Sequence, residues 1–212
     1  NRTHYLTRSQ PPFFLHMVRL ISHRKGHFRY LIPRLHFLLM EYSYWTRNTP
    51  EFLKMGKAHY RRLVRMPNGQ VLSRYYDGLA TARPESYRED HETAILSGRK
   101  DSVVYRHLRA GAESGWDFSS RWLGDNSRLE TIETTNIVPI DLNCLLYELE
   151  LAIAEAYEKI FQLPFAKFYR NRAKKRKETI NAYMWNEEKG YYFDWHIDKQ
   201  EPTSSWTLAG MF

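Results

Sequence analysis

The sequence predicts an all-α protein, a bundle or toroid of paired helices with short β-hairpins in the connecting loops. Apolar residues recur at helical spacing in stretches of about 10 to 20 residues. Long polar loops separate these stretches, and loops of that length suit a site gathered on one face. A hydrophobic share of 42% in 212 residues is enough to bury a core.

The elements follow in order. Asn1 to Gln10 is polar with aromatic interruptions and carries an Asn1-Arg2-Thr3 sequon. Pro11 and Pro12 suit a first helical turn, and Phe13, Phe14, Met17, Val18, Leu20 and Ile21 continue a helix to about Ser22. Arg8-Ser9-Gln10 is then a loop at a helix N-terminus, where backbone N–H groups, a guanidinium and an amide gather donors. Leu31, Leu35, Leu38, Leu39, Tyr42 and Trp45 mark a second helix from Phe28 to Arg47, kinked at Pro33. Leu63-Val64 and Val71-Leu72 flank Met66-Pro67-Asn68-Gly69 as a hairpin.

Arg83-Pro84-Glu85 is a stiff segment, and Glu85 suits the start of a helix from Ser86 to Leu96. Arg83 stands at the electrostatically wrong end of that helix, so it needs a partner, either Glu85 or a ligand. Lys100 to Ala112 is a helix with Val103, Val104, Leu108 and Ala112 inward. Leu129 to Thr135 is a turn-rich connection. Asp141 is the expected cap of the clearest helix, traced by Leu142, Leu145, Leu146, Leu149, Ile153, Ala156, Tyr157 and Ile160. Pro164 opens another, with Phe165, Tyr169, Ala173, Ile180 and Met184 on one side and the basic run Arg170 to Lys177 as its solvated face. A turn at Asn186 to Gly190, a short strand Tyr191 to His196 and the start of a helix from Ser204 complete the chain.

Composition narrows the function. Aromatic residues make up 15%, with 15 Tyr and 6 Trp, which suits stacking on flat faces such as sugar rings or nucleobases. The net charge of +8 raises nucleic acid or an anionic membrane as partners. The cations are spread along the whole chain, which argues against both. A lone cysteine, Cys144, excludes an internal disulfide framework and falls in a helical stripe as a core residue. No run reaches the ~18 apolar residues of a membrane span, and Asn1-Arg2-Thr3-His4 lacks an apolar signal core. A soluble chain is the expectation; the sequence does not give the compartment, cytoplasm or periplasm, or the oligomeric state, for which a monomer is the default.

Although there are 9 His, no His-x-x-x-His or Cys-x-x-Cys pattern marks a metal site, and no glycine-rich phosphate loop is present. What remains is Arg8, Gln10, Arg83, Glu85 and Asp117 on loops among aromatics. Such a set can clamp hydroxyls while one acid protonates a glycosidic oxygen. Asp117 stands in Gly111 to Trp122, G-A-E-S-G-W-D-F-S-S-R-W, where apolar neighbours and a guanidinium act on its carboxyl in opposite directions. From spacing alone Gly115 ends a helix and Asp117 either caps the next turn or serves as an acid.

Four motifs then stand in sequence: Arg8-Ser9-Gln10-Pro11-Pro12-Phe13-Phe14, Arg83-Pro84-Glu85-Ser86-Tyr87 with Glu89-Asp90, Ser114-Gly115-Trp116-Asp117-Phe118-Ser119-Ser120-Arg121-Trp122, and Ile137-Val138-Pro139-Ile140-Asp141-Leu142-Asn143. Together they resemble the trehalases of glycoside hydrolase family 37 over essentially the whole chain. The resemblance implies an (α/α)6 toroid, hydrolysis of α,α-trehalose with anomeric inversion, and no metal or organic cofactor. It implies that Asp117 is the general acid and that Arg8, Ser9, Gln10, Arg83, Pro84, Glu85 and Gly115 contact the sugar.

The resemblance also puts the catalytic base, a glutamate, and a Gln-Trp-Asp signature downstream of Phe212. A six-pair toroid needs about 12 helices and about seven are legible. Residues 1–212 are accordingly expected to be part of a single glycoside hydrolase catalytic domain, with helix faces exposed for absent neighbours. The competing readings are another (α/α)6 glucoside hydrolase and a noncatalytic carbohydrate-binding remnant.

Overall fold

A computed structural model describes residues 6–25 and 28–212. The Asn1-Arg2-Thr3 sequon lies outside them. Helix α1 is Phe14–Lys25. The expected helix from Phe28 to Arg47 is interrupted: a single turn α2 (Phe28–Leu31), a 3-10 turn Ile32–Arg34 and then α3 (Leu35–Thr46). Pro33 lacks an N–H and crowds the preceding carbonyl, so the helix breaks where a kink was expected. A short α4 (Thr49–Lys54) follows.

Strands β1 (His59–Tyr60), β2 (Leu63–Arg65) and β3 (Val71–Ser73) form an antiparallel meander that contains the expected hairpin, with Val64 opposite Leu72. Gly69 in its turn has φ +78°, which a residue with a Cβ adopts only under strain. Helices α5 (Tyr87–Ser97) and α6 (Asp101–Ser114) form one pair. Strand β4 (Ile137–Val138) leads into the longest pair, α7 (Ile140–Lys159) and α8 (Leu163–Met184), whose short connection makes them antiparallel neighbours.

Strands β5 (Trp185–Asn186), β6 (Tyr191–Tyr192), β7 (Trp195–His196) and β8 (Glu201–Pro202) follow. The single strand expected over Tyr191 to His196 is thus two, β6 pairing with β5 and β7 lying between β4 and β8. The expected terminal helix is one 3-10 turn, Leu208–Met211.

The core lies between α1, α3, α6 and α7 and includes Leu15, Val18, Leu38, Tyr42, Trp45, Leu108, Leu142, Leu146, Leu149 and Ile153. Trp45, Tyr75 and Trp122 continue it as an edge-to-face series with centroids 5.7 and 6.1 Å apart, within the preferred range for aromatic pairs. Asn143 ties the meander to α7, accepting from the Ser73 N–H (3.0 Å) and donating to the Ser73 carbonyl (2.8 Å).

Several apolar residues of the helical patterns, among them Val103, which was expected inward, face out. In α1, Leu15, Val18 and Ser22 are buried while Met17, Leu20 and Ile21 are exposed, Leu20 at 72%. In α6, Val103 is exposed while Val104 and Leu108 are buried. In α8, Phe165 is half exposed and stacks on Tyr157. The basic run is a solvated face except at half-buried Arg172, which donates to Tyr42 Oη (2.5 Å), and at Arg176, which is buried and donates to both oxygens of fully buried Glu150 (2.9 and 3.1 Å) and to Asn143 (2.9 Å). Cys144 lies on a helix as expected but is only partly buried rather than in the core, and burial pushes its thiol up to about 12. Among the described residues no helix is long and apolar enough to cross a membrane.

Buried His107 gives the fold a pH dependence. Its Nδ1 accepts from the Thr135 N–H at 3.1 Å. Burial, reinforced by the charges of Arg99, Arg74 and Arg106, lowers its pKa from 6.5 to about 3. The unfolded chain therefore binds a proton in this interval that the folded chain does not. The contribution is fully present above about pH 6.5 and is lost as pH falls toward about 3. His107→Gln, which keeps a neutral acceptor, should flatten the fall in urea midpoint between pH 7 and pH 4. An unchanged slope would show that His107 is not its source.

Candidate active site

Three separate loops meet around the C-terminal end of α6. The first, Arg8-Ser9-Gln10, precedes α1. Arg8 is buried, its Nη2 donating to Glu85 Oε1 and its Nε lying 3.9 Å from Asp77 Oδ2. The Ser9 N–H donates to Glu113 Oε1 at 3.0 Å. Gln10 is exposed beside Gly115, where an added Cβ would stand 3.5 Å from Gln10 Oε1. Gly115 has φ +71° and closes α6 in the left-handed conformation, as expected.

The second loop carries Arg83, Pro84 and Glu85. Arg83 is buried, and its partner is Asp90 one turn into α5 (Nη2 to Oδ1 2.6 Å, Nε to Oδ2 3.0 Å), not Glu85. Asp90 also accepts from the Arg83 N–H (2.8 Å), so one carboxylate fixes both the main chain and the guanidinium. That answers why an arginine stands at this helix N-terminus. Pro84 opens a 3-10 turn, Pro84–Ser86, and is exposed. Glu85 is exposed too. Burial opposes its charged form, but hydrogen bonds from Arg8 and its own backbone and the charges of Arg8 and Arg83 hold its carboxyl below the ordinary value.

The third loop presents Asp117. Its side chain is exposed and does not cap the next turn; Ser119 does, accepting from the Arg121 N–H. Both neighbours of Asp117 are anchored. Trp116 Nε1 donates to Asp141 (2.8 Å) and the Trp116 carbonyl accepts from Trp122 Nε1 (3.0 Å). Phe118 lies under the Arg83 guanidinium (5.0 Å) and against Gly111, where an added Cβ would come within 2.8 Å of the ring. Glycine at 111 is thus what allows Phe118 to seat on α6. An exposed carboxylate between two fixed aromatics can meet a ligand without reordering its loop.

Asp141 is buried at the second helical position of α7, with Pro139 before the helix, so it is not the expected cap. It accepts from Arg121 Nη2 (2.9 Å), and Arg121 also forks onto Asp194 (2.7 and 2.6 Å). All three are buried. Burial raises the Asp194 carboxyl despite Arg121, while the two carboxylates hold Arg121 charged against its own desolvation.

All seven expected contact residues and Asp117 therefore belong to these three converging loops. Asp90 stood in the second motif without a role, and the supporting residues Asp77, Glu113, Arg109 and Asp194 were not anticipated. For Glu113 a signal exists: it and Arg109, one turn earlier, are charged residues on the buried face of α6, where each needs a partner from elsewhere in the fold. Two clefts of about 440 and 630 Å³, around Phe168 and Arg172 and around Tyr87 and Tyr105, do not include Asp117. Among the described residues no cluster of three His, Cys, Asp or Glu is placed to hold a metal ion.

Paired helices with small sheets in their connections make this chain part of an all-α toroid of the kind seen in its structural match. It belongs to the trehalase family, whose model matches residues 1–212. Among solved structures it is similar to neutral trehalase from Saccharomyces cerevisiae, at 25% identity and a TM-score of 0.71, over 99% of this chain and 41% of that one. A GH63 mannosylglycerate hydrolase from Thermus thermophilus, in complex with glucose, matches at 15% identity and a TM-score of 0.46, over 96% and 46% of the two chains. This chain spans less than half the length of either.

Proposed function

We propose that the protein of which this chain is part hydrolyses α,α-trehalose to two glucose molecules with inversion, and that residues 1–212 belong to its single catalytic domain. The observation that carries the reading is the convergence of the Arg8, Arg83 and Asp117 loops in a trehalase-family chain. Asp117 is the general acid. It gives its proton to the glycosidic oxygen as the bond to the anomeric carbon breaks, and a water attacks that carbon from the opposite face. A carboxylate elsewhere in the protein takes the water's proton, standing about 6.5 to 9.5 Å from the acid so that the water fits between.

Arg8, Ser9, Gln10, Arg83, Pro84, Glu85 and Gly115 line the sugar. Arg8 and Arg83, already fixed by carboxylates, offer rigid donor forks to vicinal hydroxyls, and Gln10 adds an amide. The test is glucose release by the full-length protein from trehalose, maltose and sucrose side by side. Trehalose should be strongly preferred. Preference for maltose or sucrose would make it a different glucoside hydrolase, and binding of trehalose without turnover would make it a carbohydrate-binding protein.

A further inference from the structure

We propose that Glu113 is a positioning residue that sets the placement of the arginine loop relative to the acid loop; this rests on the hydrolase reading above. Glu113 lies in the last turn of α6, four residues before Asp117, and is fully buried. Its Oε1 accepts from the Ser9 N–H (3.0 Å), Tyr44 Oη (2.6 Å) and Arg62 Nη2 (2.6 Å), and its Oε2 from the Tyr76 N–H (2.9 Å). Two of these donors are backbone amides from segments far apart in sequence, so the carboxylate fixes main chain whatever the side chains there.

Both segments converge on Arg8. Ser9 adjoins it directly. Tyr76 adjoins Asp77, which is itself fully buried, accepts from Arg109 Nε (2.7 Å) and Thr7 Oγ1 (3.0 Å), and lies 3.9 Å from Arg8 Nε. Arg8 is therefore set from both sides by groups that Glu113 ties to α6, the helix that ends at the acid loop.

Arg62 and Tyr44 make the buried charge tolerable. The Arg62 guanidinium stacks over Tyr44 (4.0 Å) and reaches Trp45 (5.6 Å) while it neutralises Glu113. Burial and the Glu113 charge both push the Tyr44 phenol up, so it remains a donor. A buried ion pair is weak evidence for stability, because well-packed apolar residues often do as well. What apolar residues cannot do is accept two backbone N–H groups from different loops at once.

The test uses the full-length protein with two variants. Glu113→Gln loses one carboxylate oxygen, so one backbone N–H faces an NH2 group that cannot accept it. Glu113→Asp keeps the charge and shortens its reach by one methylene. Since a displacement of about 1 Å can change rate about 100-fold, each variant should raise the KM for trehalose about tenfold or more. kcat per folded molecule should fall less than the KM rises, and the pH profile should keep its shape because Asp117 is untouched.

An unchanged KM in both variants, with only the melting temperature lowered, overturns the proposal and leaves Glu113 a structural residue. If Glu113→Gln does not fold, the Asp variant decides alone. Wild-type protein that releases no glucose overturns the hydrolase reading, and this proposal with it. Wild-type turnover with unchanged variant KM overturns the Glu113 role only.

Discussion

On the proposed assignment, Asp117→Asn in the full-length protein should lower kcat for trehalose by about 10²- to 10⁴-fold, the range that a positioned general acid contributes. The amide keeps the shape of the side chain, and its N–H groups are far too weakly acidic to protonate the leaving oxygen. Because Asp117 is exposed and its loop is held through Trp116 and Phe118, the substitution leaves stability within about 0.5 kcal/mol. On the proposed assignment substrate binding should persist, since the placement of Arg8 and Arg83 does not depend on Asp117. Steady-state kinetics with a thermal melt separates these quantities. Near-normal turnover in a folded variant would mean that another group is the acid.

The second large effect is on stability. Arg121→Met removes the one guanidinium that bridges Asp141 and Asp194, both buried. Two carboxylates are left without their common cation, and breaking one partner out of a buried ion pair is destabilising by about 3 to 5 kcal/mol. The loss reaches the site, because Asp141 also accepts from Trp116 next to Asp117. Arg121→Lys should fall between wild type and Met, since an ammonium keeps the charge and loses the planar fork that serves two carboxylates at once. Urea denaturation of the three proteins measures the order. A Met variant as stable as wild type would show that the two acids are held neutral without Arg121.

The helices that pack along a long apolar face were legible in sequence. α6, α7 and α8 follow the expected spans within a few residues, because one stripe of each meets the core and hydropathy records it. The helix from Phe28 to Arg47 was legible in extent and not in continuity, since a proline can bend or break a helix depending on what holds its two sides. The two faces of α1 could not be told apart. Leu15, Val18, Met17 and Leu20 are equally apolar, and only packing separates the buried pair from the exposed pair.

By itself the sequence determined the helical class, the Met66–Gly69 hairpin turn, the glycine that ends α6, and the family through four motifs. Each is written in residues close together in the chain, where backbone preference and short-range spacing act. The tertiary structure alone decided the partners of the charges: Arg83 with Asp90, Arg8 with Glu85 and Asp77, Arg121 with Asp141 and Asp194, Arg176 with Glu150. An ion pair is set by distance in space and by the water it excludes, and residues 77 or 73 positions apart carry no local trace of it.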